Sequence, residues 1–412
     1  MKRSEYAGGA SARFLLMGTA LFLTIFGLVM IYSASSISAL VKEGSAMHFF
    51  LRQLAFVALG VVCASAVARF DYRRFQGSLG TQAWWVAIAL LVATFLLGIV
   101  RGGARRWIPL GFFNLQPSEL AKIACILVAA GLTVEWQRKR MDTGTYLRKM
   151  GFFVGVPAVM IVAQPDLGTA ILLAIGVATV LFLGGIGMRW VTGAAGIVVA
   201  FGVFAILIEP YRLKRVISAF DPWADPLKTG YQAVQALFAF GTGGISGVGL
   251  GLSRQKFFYL PEAHTDFIFA IIGEEAGLIG TLAIVVGFGI LLYAGVRIAM
   301  GARDPFGRLV AGAITSMLVF QAVLNMSAVT GIFPITGKPM PFVSYGGSSM
   351  LVTMICIGLM LSVSAYGALA PRAVRVAPRK EETKRASSDE RRRNSRPRVP
   401  SAGSGKGTRR RA

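Results

Sequence analysis

Phe14-Leu-Leu-Met-Gly-Thr-Ala-Leu-Phe-Leu-Thr-Ile-Phe-Gly-Leu-Val-Met-Ile-Tyr-Ser33 is an uncharged, strongly apolar stretch. A helix rising 1.5 Å per residue needs about 20 such residues to cross the hydrocarbon core of a bilayer. Lipid offers the backbone no hydrogen bonds, so a continuous apolar run of this length reads as a helix. Lys2, Arg3 and Arg13 precede it as in a secretory signal, but the apolar part is too long for a cleaved one. A retained first span is expected.

Nine further runs of the same kind follow, centred on residues 50–68, 83–100, 117–135, 151–163, 168–186, 190–208, 266–296, 309–330 and 348–369. The run at 151–163 is short and stops at Gln164-Pro165. Hydrophobic residues make up 55% of the 412, charged residues only 15%, and the mean hydropathy is +0.63. Soluble domains carry roughly a quarter charged residues, which argues against a cytosolic enzyme. Cys63, Cys125 and Cys356 all fall inside apolar runs, so they read as small buried hydrophobes rather than a disulfide framework.

A net charge of +24 in so apolar a chain requires segregation. With the N-terminus in the cytoplasm, the inner loops carry Arg69, Arg73, Arg74, Arg138, Lys139, Arg140, Arg148, Lys149, Arg189, Arg297, Arg303 and Arg308. The short outer loops hold only Lys42, Arg52, Arg101, Arg105, Arg106 and Lys338. The bias places both termini inside. The expected fold class is an all-α polytopic membrane protein of ten transmembrane helices: a membrane domain at 1–370, with a long extracytoplasmic loop at 209–265 between helices 7 and 8. Residues 371–412 hold 15 basic and 4 acidic residues and read as a disordered cytoplasmic tail. Its Gly403-Ser-Gly-Lys-Gly-Thr408 imitates a phosphate loop, but Pro400 and Gly407 break the pattern. The positive charge is thus chiefly a topology signal, and no nucleic-acid partner is expected.

Function is expected where polar residues depart from the membrane pattern, on the outer face. Arg101, Arg105 and Arg106 lead into Gln116-Pro117-Ser118-Glu119-Leu-Ala-Lys122, in which Glu119 and Lys122 share one helical face. The cluster reads equally as an intrahelical ion pair with interfacial arginines or as an anion site, with a diphosphate as the natural ligand. Asp166, in Gln164-Pro-Asp-Leu-Gly-Thr169, is either a helix cap or a site residue. The long loop runs through a glycine-rich stretch, 241–251, to Arg254-Gln255-Lys256 and Glu262-Ala-His264-Thr-Asp266. Asp266 opens the eighth run, with Glu274 and Glu275 about 12–14 Å further along the same helix. A carboxylate at a membrane mouth beside Arg254 and Lys256 is a candidate general base. Gln321 and Asn325, four apart, favour helix–helix packing over a ligand role.

These residues resemble the SEDS family of peptidoglycan polymerases, whose members include FtsW, RodA and a sporulation paralogue. The matching stretches are Tyr32-Ser-Ala-Ser35, Arg105-Arg-Trp-Ile108, Gln116–Lys122, Gln164–Thr169, Gln255-Lys256, Leu260–Ala270, Gly273-Glu-Glu275 and Pro341-Phe-Val-Ser344-Tyr345-Gly-Gly-Ser348-Ser349. The resemblance implies ten helices, residence in the bacterial cytoplasmic membrane, an extracytoplasmic active site and lipid II as substrate. It implies Asp266 as the essential aspartate and Glu119 and Lys122 as required residues. On that reading Arg105, Arg106, Gln116, Ser118, Asp166, Arg254, Gln255, Lys256, Glu262, His264, Glu275, Ser344, Tyr345 and Ser348 bind substrate.

The resemblance further implies help from a divalent cation, magnesium or manganese, and no organic cofactor; no ligand cluster announces a metal site. The expected partners are a class B penicillin-binding protein and other membrane proteins of the division or elongation machinery. Pro334–Pro341 resembles the elongation and sporulation pattern, whereas His264–Glu275 leans towards division, and the division type is favoured. A lipid II flippase is the principal alternative and a mere scaffold the weaker one. A transporter places its key polar groups near the midplane, whereas here they crowd the outer mouth.

Overall fold

The computed structural model describes residues 2–101, 103–111, 113–208 and 216–368. The basic tail at 371–412 and the start of the long loop at 209–215 lie outside these. Eight of the described helices are long and apolar enough to cross a membrane. They include α1 (Lys2–Glu43), α2 (His48–Arg69), α3 (Ser78–Leu97), α4 (Pro117–Gln137) and α5 (Thr143–Ala163). A shorter apolar helix, α6 (Leu167–Leu183), and α7 (Met188–Ile208) follow. Within the long 209–265 loop lies α8 (Tyr231–Gly243), then α9 (Ile268–Glu275), α10 (Gly277–Gly301), α11 (Pro305–Val329) and α12 (Gly347–Ala368).

Four local features depart from the sequence reading. The chain is not wholly helical, because the end of the 83–100 run leaves α3 and forms a small antiparallel sheet. Its strands are β1 (Ile99–Arg101), β2 (Ala104–Pro109) and β3 (Asn114–Leu115), and Gly103 takes φ +76 in the β1–β2 turn. Glycine adopts that conformation without a Cβ penalty. The short fifth run gains length from its polar side, since α5 starts at Thr143, where Asp142 caps it by accepting from Thr145 N at 3.0 Å. Inside α5 a π turn spans Gly151–Gly155 just before Pro157. Proline has no N–H to offer the carbonyl four residues back. The Phe153 carbonyl accordingly accepts from Trp84 Nε1 at 2.7 Å, which ties α5 to α3.

The third departure is the eighth run, which is two helices rather than one. α9 ends at Glu275, Ala276 is non-ideal, and Gly277 takes φ +65. Asp266 precedes α9 by two residues instead of opening a continuous span. The fourth is the long loop after α7, which contains α8 and packs its glycines closely. A Cβ at Gly243 would stand 1.9 Å from the Gly273 carbonyl oxygen.

Helix α4 is the hub. Of its most apolar 18-residue window 94% is buried, and it packs against α3, α6 and α11. Helices α2 and α12 pack along much of their length. Small residues allow this approach: a Cβ at Gly358 of α12 would come within 2.6 Å of the Ala64 carbonyl on α2. At one end of the bundle, Tyr72 donates to Asp304, and Arg73 pairs with Asp304 at 3.5 Å and reaches the Tyr366 carbonyl at 3.1 Å. The other end carries the polar network described next. Cys125 and Cys356 are buried as expected, while Cys63 is partly exposed.

Candidate active site

Glu119 and Lys122 occupy the first two turns of α4, three residues apart, so that their side chains meet at 3.1 Å. Both are almost fully buried. A buried charge is tolerated only when paired and hydrogen-bonded, and here the pairing extends well beyond two residues. Lys338, from the segment after α11, lies 3.6 Å from Glu119 Oε1 and 3.0 Å from Asp166 Oδ1. Asp166 also accepts from Gln116 Nε2 at 2.9 Å, Ser118 Oγ at 3.0 Å and Thr169 Oγ1 at 2.7 Å. Lys122 donates to Gln321 Oε1 at 3.2 Å. The result is an alternating chain of charge: Lys122, Glu119, Lys338, Asp166.

Asp166 is the helix cap that the sequence offered as one reading. It caps α6 through the Thr169 N–H at 3.3 Å and is a member of the buried network. Burial alone would raise its pKa. The Lys338 ammonium and the Arg106 guanidinium outweigh that and hold it well below the usual carboxylate range. Arg106 itself donates to the Gln164 carbonyl at 3.2 Å and to the Pro165 carbonyl.

The pleat of β2 separates the adjacent arginines, because successive side chains of a strand point to opposite faces. Arg105 is exposed and donates to the Phe95 carbonyl at 2.9 Å, at the end of α3. The two do not form a joint guanidinium pair.

Asp266 lies in a small cleft with Phe267, Asn325, Thr336, Gly337 and Lys338. Asn325 Nδ2 donates to the Asp266 carbonyl at 2.8 Å and to the Lys338 carbonyl at 2.9 Å. Gln321 Nε2 donates to the Pro339 carbonyl at 2.8 Å. The α11 amides therefore do more than join helices: they hold the 338–339 segment against Asp266 and Lys122.

Glu275 and Lys256 form a second, separate buried site. They pair at 3.2 Å, and Ser33 of α1 donates to Glu275 Oε2 at 2.6 Å. Glu274 gathers the adjoining loop, accepting from Ser253 Oγ, from Arg254 N at 2.9 Å and from Gln255 N at 3.3 Å. Arg254 remains exposed, whereas Gln255 and Lys256 are buried.

The N-terminal end of α12 and the segment before it join the first network. Ser348 Oγ donates to the Asn114 carbonyl at 2.8 Å and accepts from Gln116 N at 3.1 Å. Ser344 Oγ accepts from Met340 N at 2.8 Å, and the Ser344 carbonyl accepts from Gln53 Nε2 at 3.4 Å. Tyr345 and His264 meet around Phe49, with ring centroids 5.2 and 4.7 Å from it, and Tyr345 N donates to the His264 carbonyl at 3.0 Å. Glu262 is exposed and accepts from Thr265 Oγ1 at 2.8 Å.

Lys338 is the residue that sequence reasoning passed over. Its signal was available: a lysine in a short segment between two apolar runs, bracketed by Gly337 and Pro339. Ser33 showed only as part of the Tyr32–Ser35 stretch, with no hint of its partner, and Gln53 carried no signal, being one polar residue in an apolar run.

Among the described residues no three His, Cys, Asp or Glu side chains converge as a metal site. Glu119, Asp166 and Glu275 already face lysine ammoniums. That donor set does not fit a resident divalent cation.

A bundle of apolar helices with charged networks buried at one end is a polytopic membrane protein with an enzyme-like or carrier-like polar mouth. A family model described as "Cell cycle protein", covering FtsW, RodA and SpoVE, matches residues 13–368. This chain belongs to the FtsW/RodA/SpoVE family. It is 41% identical over 352 residues to a probable peptidoglycan glycosyltransferase FtsW of Geobacter metallireducens, covering 85% of this chain and 93% of the relative. It is 40% identical over 371 residues to stage V sporulation protein E of Bacillus subtilis, covering 85% and 96%. Among solved structures, a chain of a peptidoglycan synthase complex that coordinates polymerization and crosslinking superposes with a TM-score of 0.70 at 27% identity, covering 86% of this chain and 98% of that one. Rod shape determining protein RodA of Thermus thermophilus gives 0.64 at 25% identity, covering 86% and 97%.

Proposed function

We propose that this chain is a peptidoglycan glycosyltransferase that polymerises lipid II during cell division. It resides in the bacterial cytoplasmic membrane with ten spans, both termini in the cytoplasm and the 209–265 loop outside. Support for the orientation comes from the basic loops, and from Arg73 and Asp304 pairing at the end opposite Asp166 and Lys338. Support for the activity comes from the FtsW relative and from Asp266, a carboxylate in a cleft walled by Gly337 and Lys338.

In the reaction the acceptor sugar's 4-hydroxyl gives its proton to the Asp266 carboxylate. The hydroxyl oxygen bonds to the anomeric carbon of the lipid-linked donor from the face opposite the leaving group. The bond from that carbon to the diphosphate oxygen breaks, its electron pair leaves with undecaprenyl diphosphate, and configuration inverts. Lys122 and Lys256 are already neutralised by Glu119 and Glu275. The guanidiniums of Arg105 and Arg254, both on exposed residues, meet the departing charge.

The synthase-complex neighbour supports a class B penicillin-binding protein as partner. An elongation or sporulation role with the same chemistry is the second reading, favoured by the 40% identity to the sporulation protein. The test is polymerisation of lipid II by the purified protein with its transpeptidase partner, comparing wild type with Asp266→Ala. Loss of glycan strands is expected; unchanged strand production overturns the assignment of Asp266.

A further inference from the structure

Of the four charges in the buried chain, Lys122 and Glu119 sit on α4 and Asp166 caps α6. Lys338 comes from the longer segment between α11 and α12, away from either helix end, and it is only 2% exposed. A hydrophobic residue of similar volume could hold that segment to the bundle without the cost of desolvating an ammonium. What the ammonium adds is direction, because it must face Asp166 and Glu119 together.

The same segment forms the wall of the Asp266 cleft. Gly337 takes φ +66, and a Cβ placed there would stand 3.6 Å from Asp266 Oδ2. The Lys338 carbonyl and the Asp266 carbonyl share one donor, Asn325 Nδ2, at 2.9 and 2.8 Å. Both neighbours are acceptors, so chemistry fixes which end of the amide faces them. Asn325 is buried and its Oδ1 has no donor among the described residues. A shift of Lys338 would thus move one of two backbones held on the same nitrogen.

We propose that Lys338 is a positioning residue for Asp266: anchored on Asp166 and Glu119, it fixes the 335–338 wall and, through Asn325, the backbone that carries the base. It does not touch substrate. This rests on the reading of Asp266 as general base. Small displacements are costly in such a site, with about 1 Å of misplacement able to lower a rate by roughly 100-fold.

Two variants test it by different routes. Gly168→Ala changes no charge, yet its Cβ would stand 2.7 Å from Lys338 Cγ and 3.3 Å from the Thr336 carbonyl oxygen, so the wall has to move. K338M/D166N removes the ion pair while leaving Lys122 and Glu119 balanced; should it not fold, Gly168→Ala carries the test. Each is purified with the transpeptidase partner, its folded fraction is measured by thermal unfolding, and lipid II polymerisation is followed against substrate concentration. D266N is run alongside.

The expected result for folded variants is a kcat lowered by about 10- to 100-fold, with KM within about twofold of wild type. Wild-type kcat per folded molecule, with D266N inactive, overturns the role of Lys338 and leaves that of Asp266 standing. So does a loss confined to folded fraction, or a rise in KM with kcat unchanged. Full activity of D266N overturns the function reading and this inference with it.

Discussion

Lys338 Nζ lies 3.0 Å from each carboxylate oxygen of Asp166, across 172 residues of sequence, and the ammonium and carboxylate are both almost wholly buried. An ion pair so placed ties the segment after α11 to the cap of α6.

Asp166→Ala should therefore destabilise the protein by about 3–5 kcal/mol, the usual cost of leaving one partner of a buried pair uncompensated. The pH dependence follows from the same contact. Lys338 and Arg106 hold the folded pKa of Asp166 below its unfolded value of about 3.9. Its contribution is full above that unfolded value and is lost as pH falls through the folded one. Thermal unfolding in detergent from pH 7 down to pH 3 should show wild type losing stability at the acid end, and Asp166→Asn losing less of it.

Lys256 and Glu275 give a separate test of pairing. Lys256→Met leaves a carboxylate in the interior with only Ser33 Oγ and Ser253 N as donors among the described residues. A loss of about 3–5 kcal/mol is expected. Lys256→Met with Glu275→Gln should recover more than half of it, because the second change removes the stranded charge. Additive losses in the double-mutant cycle contradict the pairing.

Gly247 tests the packing of the glycine-rich loop. It takes φ +81, and a Cβ there would stand 2.2 Å from the Glu275 carbonyl oxygen. Gly247→Ala should cost more than about 2 kcal/mol, through backbone strain and displacement of α9. Gly289 of α10 is exposed, with nothing within 4 Å of its Cβ position. Gly289→Ala should be neutral or slightly stabilising, since alanine loses less entropy in a helix. Equal melting temperatures for the two variants refute the contrast.

Much of the bundle was legible because apolar length is a local property: α2, α4 and α11 follow runs visible in sequence. Breaks were less so. Gly277 parts α9 from α10 through a backbone angle that an apolar run conceals. The β1–β2 hairpin escaped notice because Ile99 and Val100 look like the end of a span. In the candidate site, Glu119, Lys122, Gln116, Ser118 and Asp166 stood out as polar residues at the ends of apolar runs, and they do converge. Their spacing along the chain could not reveal that Lys338 joins them, nor that Lys256 and Glu275 form a second centre. Pairings across 172 residues depend on the packed fold rather than on any local pattern. Asn325 was read as packing because an amide in a span looks the same whether it meets a helix or a loop carbonyl.

The opposite end of the bundle supplies the last prediction. Tyr72 is buried against Phe306 and donates to Asp304, while Arg73 pairs with the same carboxylate at 3.5 Å. Burial and the Asp304 charge both raise the Tyr72 pKa, so the phenol stays protonated and remains the donor. Asp304 in turn caps α11, accepting from Gly307 N at 2.9 Å. Tyr72→Phe keeps the ring and removes one hydrogen bond to a charged group, worth about 1.5–3 kcal/mol. Arg73→Met should cost less, because its contact is longer and more exposed. If the contact serves only to hold α2 and α3 to α11, Tyr72→Phe lowers the melting temperature while glycan-strand production per folded molecule stays at the wild-type level. A fall in kcat without a fall in stability would instead show that this end of the bundle is coupled to the Asp266 cleft.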